Sequence, residues 1–240
     1  VAQGEPASSG LIVVFDSETC RPLAILRDDH LISDYRTAAA GALIAKLLAP
    51  ESASSALIVG TGVQARLQAE ALMLVRPIKR LQIWGRSEAK GSALMQDLQV
   101  AHPNIDIGMV NDLPLAVAQA EVIVTATGAK EPVIRVEWIR PGQHITSVGS
   151  DDTTKCELDP VILRDADTYV DAIDSATKYG ASSRAIAEGL ITTSKLTEIG
   201  SLSEPVTIVE TNVTVACLSG LGVQDLTAIN GFWPKLRHKN

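Results

Sequence analysis

A chain of 240 residues, 46% hydrophobic and 20% charged, has the balance of a globular protein with one large or two small domains, and excludes a wholly disordered one. Its formal net charge of −7, with lysines and arginines scattered along the chain, argues against a nucleic-acid surface. Three cysteines, Cys20, Cys156 and Cys217, lie far apart and match neither a disulfide framework nor metal-ligand spacing, which points to reduced thiols and a cytoplasmic location. No stretch approaches the roughly 18 consecutive apolar residues of a membrane span. The opening VAQGEPASSG lacks the basic-then-apolar pattern of a signal peptide. The sequence starts at Val1 in a polar loop without an initiator methionine, which is the pattern of a fragment.

In chain order, GLIVVF at 10–15 and PLAIL at 22–26 flank the polar DSETC and predict a β-hairpin. Ser33 and Asp34 are candidate N-caps for the alanine-rich RTAAAGALIAKLLA, a helix that Pro50 follows closely. From residue 56, apolar runs alternate with helix-patterned stretches: ALIV, LQIW, IDIGMV, EVIVTAT and HITSV are separated by ARLQAEALMLV, EAKGSALMQDLQV and LPLAVAQA. That alternation predicts βαβ units around a parallel sheet buried on both faces. One more strand, DTYVDA, follows the DPVILRDA turn. The tail, VTIVET, NVTVACL and GLGVQDLTAI, returns to the texture of the head. Residues 1–50 and 195–240 are therefore expected to form one discontinuous domain around an α/β unit at 51–194.

Gly60-Thr61-Gly62-Val63-Gln64-Ala65 falls where the first strand of the alternating region meets its first helix. In G-x-G-x-x-A, Gly60 permits the tight turn, Gly62 lets the backbone approach a pyrophosphate, and Ala65 lets helix and strand pack closely. The helix start then offers the free N–H groups of residues such as Val63 and Gln64 to phosphate. The bland alternative is a tight bend without a ligand, and the rival ligand for the same turn is S-adenosylmethionine. At the end of the second strand an acid would bind the ribose hydroxyls of NAD(H). The chain reads Trp84-Gly85-Arg86-Ser87 instead. Arg86 can pair with a 2′-phosphate and Ser87 can hydrogen-bond it, which favours NADP(H) over NAD(H); otherwise Arg86 is a surface arginine and Ser87 a helix cap.

Ligands of open parallel sheets lie beyond the carboxyl ends of the strands. There the fourth strand ends in Thr125-Ala126-Thr127-Gly128, small residues that allow a ribose or nicotinamide to approach, and the fifth in Val148-Gly149-Ser150-Asp151-Asp152. Asp151 is a candidate proton-transfer group; capping the following turn is the commoner use of such a residue.

Taken together, GLIVVFDSETCRPLAIL, YRTAAAGALIAKLLA, VGTGVQA, VIVTATG, GQHITSVGSDDTTKCELDP, AEGLI and SGLGVQD resemble the ornithine cyclodeaminase/mu-crystallin family over nearly the whole chain. The resemblance implies a Rossmann-type, doubly wound parallel sheet inserted in a smaller α/β domain that binds substrate and mediates homodimerisation. It implies that Arg36 of RTAAA clamps the substrate carboxylate, that Thr37 touches the cofactor, that Asp151 is catalytic, and that Lys155 and Ser219 approach the cofactor. From the residues alone, Arg36 is an exposed ion-pair partner, Lys155 a solvated loop lysine and Ser219 a helix cap. Asp225 is assigned to the structure of its helix. None of the four histidines, His102 and His144 among them, matches a metal constellation or receives a catalytic role.

The implied activity is NAD(P)-dependent redox chemistry at the Cα–N bond of a small amino or cyclic imino acid, as cyclodeaminase, ketimine reductase or amino-acid dehydrogenase. The alternative is a non-catalytic, NADP-linked hormone-binding protein like mu-crystallin. Arg86 and Ser87 suit an exchangeable NADPH better than the tightly held NAD of a cyclodeaminase. Two departures stand out: the family's N-terminal segment, with a further arginine and a lysine for the substrate, is not matched, and the glycine of the first hairpin turn is Cys20.

Overall fold

The computed structural model describes residues 10–202, 206 and 211–237. The hairpin comes first, as β1 (Gly10–Phe15) and β2 (Pro22–Asp28), an antiparallel pair that forms a sheet of its own. Asp16 organises its turn by accepting from the N–H groups of Glu18 and Thr19 and from the Thr19 hydroxyl. Cys20 closes that turn at φ 54°, a left-handed conformation that explains why a glycine is expected there.

α1 (Leu31–Leu48) begins before the caps expected at Ser33 and Asp34. The capping group is the buried Asp28, whose carboxylate accepts from the N–H groups of Ile32 and Ser33 and from the Ser33 hydroxyl. Burial alone would raise the pKa of Asp28, but those hydrogen bonds, the Ser33 hydroxyl foremost, hold it below the usual aspartate value. The carboxylate comes from the preceding strand, so local spacing within the helix pattern did not reveal it.

Then follow β3 (Ser55–Val59), α2 (Val63–Val75), β4 (Arg80–Trp84), α3 (Glu88–Ala101), β5 (Asp106–Met109), α4 (Leu113–Gln119), β6 (Val122–Thr125) and β7 (His144–Ser147). After them come α5 (Ile162–Asp165), β8 (Asp167–Val170), α6 (Ile173–Ala176), α7 (Gly180–Ala187), β9 (Leu196–Glu198), β10 (Thr214–Cys217) and α8 (Gly222–Arg237). The large sheet has eight parallel strands in the order β5-β4-β3-β6-β7-β10-β8-β9. Its first five strands have the doubly wound order of a Rossmann half with its next strand pairs, and the order reverses between β3 and β6, which opens a crevice at their carboxyl ends.

The strand sequences explain the parallel sheet. β6 and β7 are buried at every position, and β3 at all but its first, as strands covered by helices on both faces must be. Alternate residues then serve two cores: Ala56 and Ile58 of β3 join Ile44, Leu48, Leu72 and Leu98 on one face, while Leu57 and Val59 join Val117, Leu163 and Ala185 on the other. α1 belongs to the first of these faces. His144, wholly buried in β7, bonds the hydroxyls of Thr214 and Thr146, and Thr214 in turn donates to the carbonyl of Leu48 at the end of α1. Burial pushes the pKa of His144 down to about 3, with Arg76 adding to the shift, so it is a neutral packing residue.

The tail departs from the division expected at 194/195. β9 and β10 belong to the large sheet, β10 between β7 and β8 and β9 at the edge beside β8. The apolar VTVAC has the continuous burial of a central strand, and no local signal distinguishes it from a hairpin partner. The strand expected over VTIVET falls largely outside the described residues. α8 packs on α1, so the segments outside the large sheet are the hairpin and these two helices' outer faces.

Candidate active site

The apolar run of β3 ends at Val59, and the chain must turn at once into α2. Gly60 has φ 138°, and a Cβ there would meet the carbonyl oxygen of Ala126, so the chain itself demands glycine. Gly62 is different. Its backbone is extended, and a Cβ built on it would have nothing within 4 Å, which leaves the main chain bare toward open space. α2 starts there with no side-chain cap and no acid in its first turn, so its N–H groups remain for an anion. Ala65 is fully buried behind the turn.

From this cradle a cleft of about 710 Å³ runs past Trp84, Gly85, Arg86 and Ser87 on one side and Ala126, Thr127 and Gly128 on the other. The size and the glycine-lined floor fit a dinucleotide. Arg86 is exposed and makes no hydrogen bond or ion pair among the described residues. Ser87 caps α3 by accepting from the Lys90 N–H at 3.4 Å.

The strand ends behind the cleft are tied by a residue that the pattern-based reading did not single out. Glu157, 0% exposed, accepts five hydrogen bonds: Oε1 from the N–H and hydroxyl of Thr127, Oε2 from the hydroxyls of Thr125 and Ser147 and from the N–H of Gly149. The signal for it was three hydroxyl residues at the ends of two neighbouring strands, all needing an acceptor.

A second, smaller cleft of about 260 Å³ lies along the same rim, lined by His30, Asp34, Arg36, Thr37, Gln64, Val148, Asp151, Ser219 and Gly220. Arg36 reaches it from α1. Its Nε donates to Asp225 at 3.1 Å and its Nη1 to Gln224 at 2.8 Å, both in the first turn of α8, while Nη2 makes no hydrogen bond among the described residues. Asp225 thus orients the arginine as well as serving its own helix. Ser219 is held by Asp171 at the end of β8, which accepts from its N–H and hydroxyl at 2.8 Å each and from the Gly220 N–H at 2.6 Å. Asp171 could have been found by the rule that pointed to Asp151, a carboxylate at a strand's carboxyl end.

Asp151 is exposed, and its Oδ1 accepts from Lys155 Nζ at 2.5 Å. That hydrogen bond raises the pKa of Lys155. Asp152 shapes the loop by accepting from the N–H groups of Thr154 and Lys155 and from the Thr154 hydroxyl.

The residues expected around the cofactor therefore divide. Gly60, Gly62, Arg86, Ser87, Ala126 and Thr127 line the large cleft. Thr37, Gln64, Val148 and Ser219 line the small one, beside Arg36 and Asp151. The Thr37 hydroxyl donates to the Ser33 carbonyl, and Gln64 Nε2 bonds Asp34 at its carbonyl and carboxylate, tying α2 to α1. Thr125 is wholly buried and Gly149 gives its N–H to Glu157, so both act behind the surface. Val63 points to solvent, and Lys155 lines neither cleft. Burial pushes the thiols of Cys156 and Cys217 up to about 11 and about 12, which makes neither a nucleophile near neutral pH. Among the described residues no cluster of His, Cys, Asp and Glu could hold a metal.

Sheet order and glycine cradle define a Rossmann-type α/β protein. The chain belongs to the ornithine cyclodeaminase/mu-crystallin family, whose model matches residues 1–240. It is 42% identical over 231 residues to the uncharacterized cyclodeaminase y4tK of Sinorhizobium fredii, covering 94% of this chain and 69% of that protein. Among solved structures it is similar to the Δ1-pyrroline-2-carboxylate reductase of Thermococcus litoralis in complex with NADH and L-proline, with TM-score 0.88, 26% identity, and 99% of this chain and 75% of that one covered. An archaeal alanine dehydrogenase dimer with bound NAD matches with TM-score 0.88 and 27% identity over 100% of this chain and 74% of that one.

Glu157→Gln tests the knot. Either orientation of the amide turns an NH2 toward the N–H of Thr127 or of Gly149; hydroxyls can rotate to accept, but a backbone N–H cannot. One buried donor is orphaned, and urea unfolding at neutral pH should show a loss of about 2 kcal/mol or more.

Proposed function

We propose that this protein is an NAD(P)-dependent oxidoreductase acting at the Cα–N bond of a small amino or cyclic imino acid. The observation that carries this is the placement of Arg36, Asp151 and Ser219 around one small cleft on the rim that also bears the glycine cradle. The reductase and dehydrogenase among the similar structures, with NADH and L-proline or NAD bound, support the same chemistry.

A nicotinamide dinucleotide held at the glycine cradle would supply hydride transfer to or from Cα. Arg36 binds the substrate carboxylate through the edge of its guanidinium that α8 leaves free, and the Asp225 and Gln224 contacts fix the direction in which that edge points. Asp151 donates a proton to nitrogen when the C=N bond is reduced and accepts it when the C–N bond is oxidised, directly or through one water. Lys155 holds the Asp151 carboxylate in place. Asp171 fixes Ser219 and Gly220 as the opposite wall, and the burial of Val148 keeps the floor apolar.

NADP(H) is the preferred cofactor in this reading. β4 ends without an acid, and Arg86 stands unpaired among the described residues at the place where a 2′-phosphate would lie. The homodimer is supported by the apolar residues left uncovered on the hairpin and on α1 and α8, Leu11, Phe15, Ile25, Leu31, Tyr35, Leu43 and Val223 among them. No helix among the described residues is long and apolar enough to cross a membrane, and a cytoplasmic setting is supported by free cysteines.

Asp151→Asn keeps the side chain's size and removes the proton acceptor. Turnover with the protein's amino or imino acid substrate should fall about 10² to 10⁴-fold while cofactor affinity, read by fluorescence titration, stays within about twofold; near-normal turnover would return Asp151 to a turn cap. Arg86→Ala should weaken NADPH about tenfold or more and NADH by less than about threefold, the loss of one charge-assisted contact; equal losses overturn the assignment. Sedimentation at micromolar concentration should show a dimer, and a monomer alone would contradict that expectation.

A further inference from the structure

His30 stands where the chain leaves β2 and enters α1, and its backbone is left-handed, with φ 67° and ψ 1°. Glycine takes that conformation freely, and histidine, with asparagine and aspartate, is among the other residues that adopt it most often. The ordinary structural use of a polar residue at this place is to cap the helix, yet the His30 side chain makes no cap hydrogen bond. Asp28 does that work, accepting from the Ile32 N–H at 2.8 Å and from the Ser33 N–H and hydroxyl at 3.2 and 2.7 Å.

His30 adds an electrostatic contribution to holding the Asp28 pKa down, but this half-buried residue makes no hydrogen bond or ion pair through its side chain among the described residues. His30 lines the same cleft of about 260 Å³ as Arg36, Asp151 and Ser219. In the reading above, Arg36 takes the substrate's carboxylate, Asp151 its nitrogen and the nicotinamide the hydride of Cα, so the side chain is what is left for the other wall residues to meet. Gln64 engages the Asp34 carboxylate in that wall through a 2.9 Å hydrogen bond, whereas the His30 ring has both nitrogens to offer.

We propose that His30 is a substrate-contacting, specificity-determining residue: its ring hydrogen-bonds a polar group on the side chain of the bound amino or imino acid, selecting substrates that carry a distal amide, hydroxyl or carboxylate over plain aliphatic ones. The proposal rests on the assignment of the small cleft as the substrate site. A group built to hydrogen-bond a substrate discriminates sharply against the analogue that lacks it, because a polar group is then left unpaired in the closed site.

The test uses His30→Gly and His30→Asn, both at ease in a left-handed turn, so folding is preserved and the thermal midpoint should hold or rise. Initial rates are measured for the wild type and both variants, with NADH and with NADPH, on paired amino or imino acids that differ only in having a distal polar group. The expected result is a fall of about ten- to a hundredfold in kcat/KM for the polar members and less than about threefold for the aliphatic ones, with the larger effect in the glycine variant. A residue that only shapes the turn would not move this ratio. Equal losses on both members, or no loss, overturn the assignment of His30 and leave the oxidoreductase reading standing. A wild type inactive on both members of every pair overturns the oxidoreductase reading, and the His30 assignment with it.

Discussion

The hydrogen bonds gathered by Glu157 are the constraint on which the site depends. A parallel sheet delivers its strand ends side by side, but past the last ladder hydrogen bond nothing in the sheet itself says where the chains should go. Here one buried carboxylate reaches the hydroxyls of Thr125, Thr127 and Ser147 and the N–H groups of Thr127 and Gly149, so the exits of β6 and β7 are bound to the same two oxygens. A charge buried this deeply is tolerated only when its lone pairs are used, and five donors use them. The consequence is geometric: Ala126 and Thr127 are set opposite the glycine turn, and Val148 and Asp151 are set opposite Arg36.

Elsewhere the same device recurs, a carboxylate that collects backbone N–H groups where two segments must meet. Asp28 joins the hairpin to α1, Asp171 joins β8 to the Ser219–Gly220 turn, and Glu121 joins β6 to the start of β3 through the N–H groups and hydroxyls of Ser54 and Ser55. Arg76 does the converse with carbonyls, donating to Val75, Lys46 and Ala49 at the ends of α1 and α2. Each contact is worth little alone, but each removes a degree of freedom from a loop that carries a site residue. The small cleft thus has walls from α1, the turn after β10 and the loop after β7, anchored by Asp28, Asp171 and Glu157, none of which lines it.

Much of this was legible along the chain because it depends on short range. The strands after residue 56 announced themselves as apolar runs buried on two faces, and the glycine turn announced itself by standing between such a run and a helix pattern. The end of β4, with Arg86 and Ser87 in place of an acid, could be read in the same way. What spacing missed depended on partners far along the chain. Ser33 has the residue type and spacing of a cap for α1, while the carboxylate that caps the helix belongs to the end of β2. VTVAC shares the apolar texture of the head and is expected in one domain with it, but texture says that a strand is buried without saying beside which others; it lies between β7 and β8.

The sequence by itself determined the parallel α/β architecture, the glycine turn between β3 and α2 and the residue types at the strand ends, since periodicity and turn chemistry act within a few residues of each other. Tertiary structure alone decided that β10 enters the large sheet, that Glu157 binds the ends of β6 and β7, and that α8 holds Arg36. Those outcomes follow from hydrogen-bond donors and acceptors that find one another only when the sheet has ordered segments as many as 189 residues apart, as Arg36 and Asp225 are, and no local pattern records which distant partner will satisfy a buried polar group.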